Sequence, residues 1–142
     1  MSAASIDSKW RQVEVSFKTM DPPVAEAVCR MAAEFYRLRN VSMLDLTKSS
    51  GYLHDPDSVT QESLEEAFRL HPELIDNWLM LSDDKRTRYG WCLLRPYRSH
   101  DHTDWVVVTP NGWKEHRFPD GFKACAFFVK QEVESYRANI GQ

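Results

Sequence analysis

Apolar and polar residues alternate near the start of the chain and then change to helical spacing. Alternation over residues 10–17 predicts a strand with one buried face. Apolar residues then recur every three or four positions over residues 24–38, after two prolines that suit a first helical turn. We therefore expect one helix that stops at Asn40. Residues 41–56 show no sustained period and are expected to form a structured loop.

Two short amphipathic helices are predicted next. Ser58 and Gln61 have the spacing of a capping box, so a helix is expected to begin one or two residues after the serine and to end at Leu70. Pro72 interrupts the pattern and suits the first turn of a second helix, which should reach Leu81. Seven apolar residues form the predicted buried faces: Leu64, Ala67, Phe68, Leu74, Ile75, Trp78 and Leu79.

The C-terminal part of the chain is predicted to form three strands and a helix. Residues 89–94 are apolar at successive positions, which favours a central strand. Residues 105–109 and 113–118 flank Pro-Asn-Gly, a sequence typical of a tight turn, and so predict a hairpin. Asp120 is expected to cap a helix that continues to Tyr136.

These elements predict one α+β domain over residues 1–142, with residues 1–8 as a flexible tail. A small, mainly antiparallel sheet should pack against about four helices. A chain of 142 residues suits a single hydrophobic core. Four aromatic residues are expected to be largely buried and to join the sheet to the helices: Trp78, Trp91, Trp105 and Phe128.

Charge is unevenly distributed, although the formal net charge is only −3. Residues 53–84 contain nine acidic residues against a single base, Arg69, and therefore carry a local charge of −8. Such a block repels phosphate and attracts a basic protein surface, so we expect a protein partner and no nucleic acid. An ordinary solvated helical face is the alternative explanation.

Little in the sequence indicates catalysis, a cofactor or a membrane. There is no glycine-rich phosphate loop and no Gly-x-Ser-x-Gly elbow, so we expect no enzyme and no cofactor. No apolar run approaches a membrane span and the N-terminus lacks a secretory signal, so a cytoplasmic location is expected. Three widely spaced cysteines are predicted to be reduced core residues: Cys29, Cys92 and Cys125.

Residues 100–104, His-Asp-His-Thr-Asp, are the stretch that most resembles a metal site. A His-x-His pair without a third ligand at recognisable spacing is weak support for one. We therefore expect no metal there and predict an exposed loop between strands. A small metal-dependent hydrolase built on His100 and His102 is kept as an alternative function.

The order of elements over residues 83–140 carries a family resemblance. Its motifs are Lys-Arg before Gly-Trp, Trp-Val-Val-Val before the turn, and Phe-Pro-Asp before Ala-Cys-Ala-Phe-Phe-Val-Lys. With the preceding His-Pro-Glu-Leu-Ile-Asp-Asn-Trp-Leu-Met-Leu, this pattern resembles small immunity proteins of bacterial polymorphic-toxin and contact-dependent growth-inhibition systems. The resemblance implies a protein that binds and blocks the toxin domain encoded by its neighbouring gene.

Contact residues do not carry over within such families, so they are predicted from charge alone. Many of the toxins are nucleases, whose basic cleft an acidic surface can occlude. A phage- or plasmid-borne inhibitor of a host defence nuclease would use the same chemistry and is a second alternative. The predicted partner-binding residues are Asp55, Asp57, Glu62, Glu65, Glu66, Asp83 and Asp84, followed by Asp101 and His102.

Overall fold

Six α-helices and three short strands form the part of the chain that the computed structural model describes, residues 23–85, 90–99, 103–112 and 114–140. The predicted α+β class with a small antiparallel sheet is confirmed. The elements are α1 (Val24–Cys29), α2 (Met31–Leu38), α3 (Met43–Ser50), α4 (Gln61–Leu70), α5 (Leu74–Lys85), β1 (Cys92–Leu94), β2 (Trp105–Val108), β3 (Glu115–Phe118) and α6 (Gly121–Ile140). The strand predicted at residues 10–17 and the tail predicted at 1–8 lie outside the described residues.

The helix predicted over residues 24–38 is divided into two. Arg30 has φ −83° and ψ −7°, which departs from helical ψ and separates α1 from α2. The change of direction lets α1 pack against α4 while α2 packs against α3 and α5. This division is one reason why six helices are present where about four were expected.

The second reason is α3, which lies where a loop was predicted. Ser42 accepts a hydrogen bond from the backbone of Asp45 and the Asp45 carboxylate accepts one in return, forming a capping box. Only Met43, Leu46 and Thr47 are buried. This two-turn helix therefore has too few buried positions for a helical period to be recognised in the sequence. Gly51, at φ +89°, ends the helix in the left-handed region.

The two predicted amphipathic helices are present as α4 and α5. All seven predicted buried residues are buried, which confirms both apolar faces. The cap of α4 differs from the prediction, because Thr60 and Ser63 form the capping box in place of Ser58 and Gln61. Helix α5 continues one turn beyond Leu81.

Among the strands that the structure describes, the order is β1-β2-β3, so β2 lies in the middle and β1, which was predicted to be central, lies at an edge. Leu93 pairs with Val107, which in turn pairs with His116. The outer edge of β1 is closed by Ser82 of α5, whose hydroxyl accepts from the Leu93 N–H at 2.7 Å and donates to the Leu93 carbonyl at 3.2 Å. These bonds satisfy the outward-facing backbone groups of Leu93, so this part of the strand edge is not free to pair with another chain.

The core lies between α6, the sheet and the other helices. Trp78 and Phe128 are fully buried in an edge-to-face contact, as predicted. Trp91 and Trp105 are partly buried and pack against this core, and Trp91 joins the sheet to α6 through an edge-to-face contact with Phe127, in line with the expectation. The Trp105 ring lies against the start of α6, where a Cβ atom at Gly121 would approach it to 2.6 Å.

The C-terminal helix begins as expected, since Asp120 Oδ1 accepts from the Lys123 N–H at 2.8 Å. The three cysteines are free thiols, with Cys29 and Cys125 buried and Cys92 half-buried. Burial raises the pKa of the Cys29 and Cys125 thiols. Across the described ranges, no helix is both long and apolar enough to cross a membrane.

Candidate functional site

Eight of the nine acidic residues of the block divide between two surfaces in space. The ninth, Glu73, lies between α4 and α5, with its carboxylate 3.9 Å from the His71 ring nitrogen Nδ1. Helix α4 packs against α1 and α6, whereas α5 packs against α2, β1 and α6. We call the first surface the α4 acidic surface; it consists of Asp55, Asp57, Glu62, Glu65 and Glu66. We call the second the α5 acidic surface; it consists of Asp76, Asp83 and Asp84.

Glu62 and Glu66 form the exposed ridge of the α4 acidic surface. They lie four residues apart on one face of the helix, and both are exposed. Within the described part of the chain, neither carboxylate has a cation at ion-pairing distance. Like charges at this spacing repel each other, and the described residues supply no ion-pairing partner for the negative charge of this ridge.

Glu65 occupies a different position although it is adjacent in sequence. Its carboxylate accepts from Arg69 at 2.8 Å and from Lys123 of α6 at 3.2 Å, and its side chain is only 17% exposed. The Arg69 hydrogen bond, aided by Lys123, lowers the pKa of Glu65. Glu65 therefore ties α4 to α6 and offers less free charge than its two neighbours.

Asp55 and Asp57 lie in the segment that connects α3 to α4, which contains the 3₁₀ turns Tyr52–His54 and Pro56–Ser58. Both aspartates are exposed. The backbone of the segment is hydrogen-bonded within each turn, from the Asp55 N–H to Tyr52 and from the Val59 N–H to Pro56. The segment ends at the capping box that begins α4. It therefore lies next to the first turn of that helix, which contains Glu62.

A polar network from α6 lies beneath this segment. The Lys130 ammonium group donates to Tyr52 Oη at 2.8 Å, to the Pro56 carbonyl at 3.1 Å and to the Val59 carbonyl at 2.8 Å. The Tyr52 hydroxyl donates to Glu134, which also accepts from Arg137 at 2.8 Å. Sequence reasoning missed this network, because its members are separated by about 80 residues and no local pattern links them.

The electrostatics of the network follow from partial burial. Burial raises the pKa of Tyr52, and its hydrogen bond to Glu134 adds to the effect. Burial lowers the pKa of Lys130, whereas the negative charges of Glu134 and Asp57 oppose that shift. The positive charge of Lys130 and the negative charge of Asp57 therefore attract each other.

The acids of α5 are engaged with other elements. Asp76 pairs with Arg95 at 2.9 Å, Asp83 lies 3.8 Å from Arg98, and Asp84 accepts from the hydroxyl of Tyr36. Together they connect α5 to α2 and to the turn after β1. The space between α5 and β1 is a groove of about 340 Å³ beside the exposed side chains of Met80 and Tyr97.

The remaining predicted contacts, Asp101 and His102, lie outside the described residues, as does His100. Over the described ranges, no group of three or more His, Cys, Asp or Glu residues is arranged to hold a metal ion. The α4 acidic surface therefore presents exposed carboxylates on a hydrogen-bonded backbone, an arrangement that can bind cationic side chains of another protein. Comparisons with protein-family models, with curated proteins and with solved structures found no match to this chain.

Proposed function

We propose that this protein is an immunity protein, which binds a cognate nuclease toxin domain and neutralises it by occluding its basic active-site cleft. The observation that supports the proposal most is the Glu62 and Glu66 ridge, which is exposed and lacks a cationic partner among the described residues. The family resemblance of residues 83–140 supports it independently. The proposed partner is a protein, and the proposed contact is the α4 acidic surface.

The energetics of the ridge favour a basic partner. Two like charges at this spacing destabilise a helix by roughly 0.2–0.5 kcal/mol, a cost that a docked cation removes. Long-range attraction between opposite surface charges also raises the association rate, so that a toxin is captured before it acts. A nuclease presents a suitable surface, because its cleft must be basic to hold phosphate.

The backbone under the acidic residues also suits recognition. A capping box fixes the start of α4, and the network around Lys130 holds the preceding segment. Binding by a surface that is already ordered loses less conformational entropy than binding by a loop that must first be ordered. We propose that the protein acts in the cytoplasm by occupying the toxin, and that it carries out no reaction of its own.

The test uses the toxin domain encoded by the neighbouring gene. An equimolar amount of the purified chain should abolish nuclease activity of that domain, while a nuclease domain from an unrelated toxin should remain active. A cognate domain that stays fully active in excess chain would contradict the proposal. Inhibition of a host defence nuclease, with no effect on the neighbouring toxin, would favour the alternative inhibitor role.

A further inference from the structure

Lys130 uses its whole donor capacity on the segment that carries Asp55 and Asp57. A lysine ammonium group has three N–H donors, and these meet three acceptors in the segment: Tyr52 Oη, the Pro56 carbonyl and the Val59 carbonyl. The ammonium group also lies over the Tyr52 ring, 4.9 Å from its centroid. One side chain of α6 therefore contacts both the beginning and the end of the segment.

The two backbone contacts of Lys130 lie on either side of Asp57. The Pro56 carbonyl precedes this aspartate and the Val59 carbonyl follows it by two residues. On the other side of Pro56, the Asp55 carbonyl accepts from the Ser58 N–H at 3.2 Å and from its hydroxyl at 2.9 Å. Fixing these carbonyl groups fixes the direction in which both aspartates leave the backbone.

A hydrophobic residue at position 130 could not hold the segment by hydrogen bonds in this way. It would leave the Pro56 and Val59 carbonyl groups without this donor, and partly buried carbonyl groups that lose a donor are costly. Glu134 holds the far side of Tyr52 and is held in turn by Arg137. The network is therefore held from two successive turns of α6, one with Lys130 and the next with Glu134.

We infer that Lys130 is a positioning residue for partner recognition, which presents Asp55 and Asp57 to a basic protein without contacting that protein itself. The inference rests on the proposed function and concerns the part of the α4 acidic surface that lies beside the Glu62 and Glu66 ridge. The ridge and the two aspartates are held in place by different elements. Helix α4 orders the ridge, and α6 orders the aspartates through one side chain.

The first measurement concerns the free protein and needs no partner. Lys130→Met keeps the stem of the side chain and removes its donors. Backbone amides of His54, Asp55, Ser58 and Val59 should then exchange with solvent about tenfold faster or more, the factor that corresponds to about 1.4 kcal/mol. Lys130→Arg should restore much of the protection. Lys123→Met, which removes another α6 cation that contacts α4 but not this segment, should leave these amides unchanged.

The second measurement is binding to the neighbouring toxin domain. Lys130→Met makes the surface more negative by one charge, so association should be as fast as in the wild type or faster. Dissociation should accelerate by about threefold to tenfold, because the aspartates are no longer held in place. A merely structural loss would lower the amount of active protein without raising the dissociation rate of the protein that remains active. Should Lys130→Met fail to fold, Tyr52→Phe removes one of the three acceptors and should produce the same pattern in weaker form.

The outcomes separate this inference from the proposed function. Unchanged amide exchange in Lys130→Met would overturn the inference, and so would faster exchange with an unchanged dissociation rate. In either case a wild-type chain that still blocks the toxin leaves the proposed function intact. A wild-type chain that does not bind the toxin would overturn both, since the positioning would then have no partner to serve.

Discussion

The α4 and α5 surfaces are both acidic, but their acidic residues have different surroundings. Each acid of the α5 surface contacts another element: Asp76 pairs with Arg95, Asp83 approaches Arg98, and Asp84 accepts from Tyr36. On the α4 surface, the described residues provide no such partner for Glu62 or Glu66. The difference shows that the number of acids in a segment says little about their role. An acidic residue whose partner comes from another element of the fold has a structural role. An acidic residue without such a partner among the described residues is a candidate contact for another protein.

The largest effect should come from the core beneath the α5 surface. Trp78 is fully buried against Phe128 and donates to the Cys29 carbonyl at 2.8 Å. Trp78→Ala should therefore lower the free energy of unfolding by about 3–5 kcal/mol, measured by urea denaturation. Met80→Ala, on the exposed side of the same helix, should change it by about 0.5 kcal/mol or less. Equal losses for both variants would show that α5 does not divide into a buried and an exposed face.

A smaller loss is expected where α5 closes the edge of β1. Ser82→Ala removes the hydroxyl that contacts both backbone groups of Leu93 in a buried site. The free energy of unfolding should fall by about 1–3 kcal/mol, the cost of unsatisfied buried polar groups. Ser49→Ala, at an exposed position of α3, is the matched control and should have little effect. A neutral Ser82→Ala variant would mean that the edge is satisfied in another way.

Neutralising acids should separate the two surfaces directly. Asp76→Asn with Asp83→Asn removes two ion pairs of α5 and should cost up to about 1 kcal/mol of stability for each pair. Glu62→Gln with Glu66→Gln removes a repulsion of about 0.2–0.5 kcal/mol and also the favourable negative charge of Glu62 in the first turn of α4, so stability should change by about 0.5 kcal/mol or less. Both double variants change the net charge equally. If the α4 variant proved the less stable of the two, the assignment of structural and free acids would be reversed.

The smallest effect is expected in the stability of the protein at acidic pH, and it concerns the polar network of Lys130, Tyr52 and Glu134. The Arg137 hydrogen bond, together with that from Tyr52, lowers the pKa of Glu134 in the folded chain. A carboxylate whose pKa is lower in the folded chain than in the unfolded chain stabilises the fold. This contribution is complete above the ordinary pKa range of glutamate and is lost as the pH falls through the lowered pKa. Glu134→Gln should therefore show a shallower loss of stability between about pH 5 and about pH 3. Parallel pH profiles for the two proteins would argue against a charged Glu134 in the network.

The sequence predicted those parts of the fold that depend on local patterns. The buried faces of α4 and α5 follow from helical spacing, and the helix after Asp120 follows from a capping residue and an apolar stripe. The missed element, α3, is two turns long and buries only three residues, which is too few for a period. The edge position of β1 was missed because its cover comes from Ser82, a tertiary contact that no alternation of residues reveals.

The candidate site was predictable only in part, for the same reason. Charge counting found the acidic residues, but it could not distinguish Glu65, which Arg69 and Lys123 engage, from its neighbours Glu62 and Glu66. It also gave no indication of Lys130, which acts on a segment more than 70 residues away. Both distinctions depend on which elements the fold brings together.

The central claim is that the α4 surface, and not acidity in general, receives the basic partner. The most direct measurement compares two double reversals, Glu62→Lys with Glu66→Lys and Asp76→Lys with Asp83→Lys, in surface-capture kinetics against the neighbouring toxin domain. Both change the net charge by the same amount, so a general charge effect is matched. The α4 reversal should slow association by about tenfold or more at low salt, with a difference that shrinks as salt rises, while the α5 reversal slows it much less. Equal slowing by both, or greater slowing by the α5 reversal, would contradict the account.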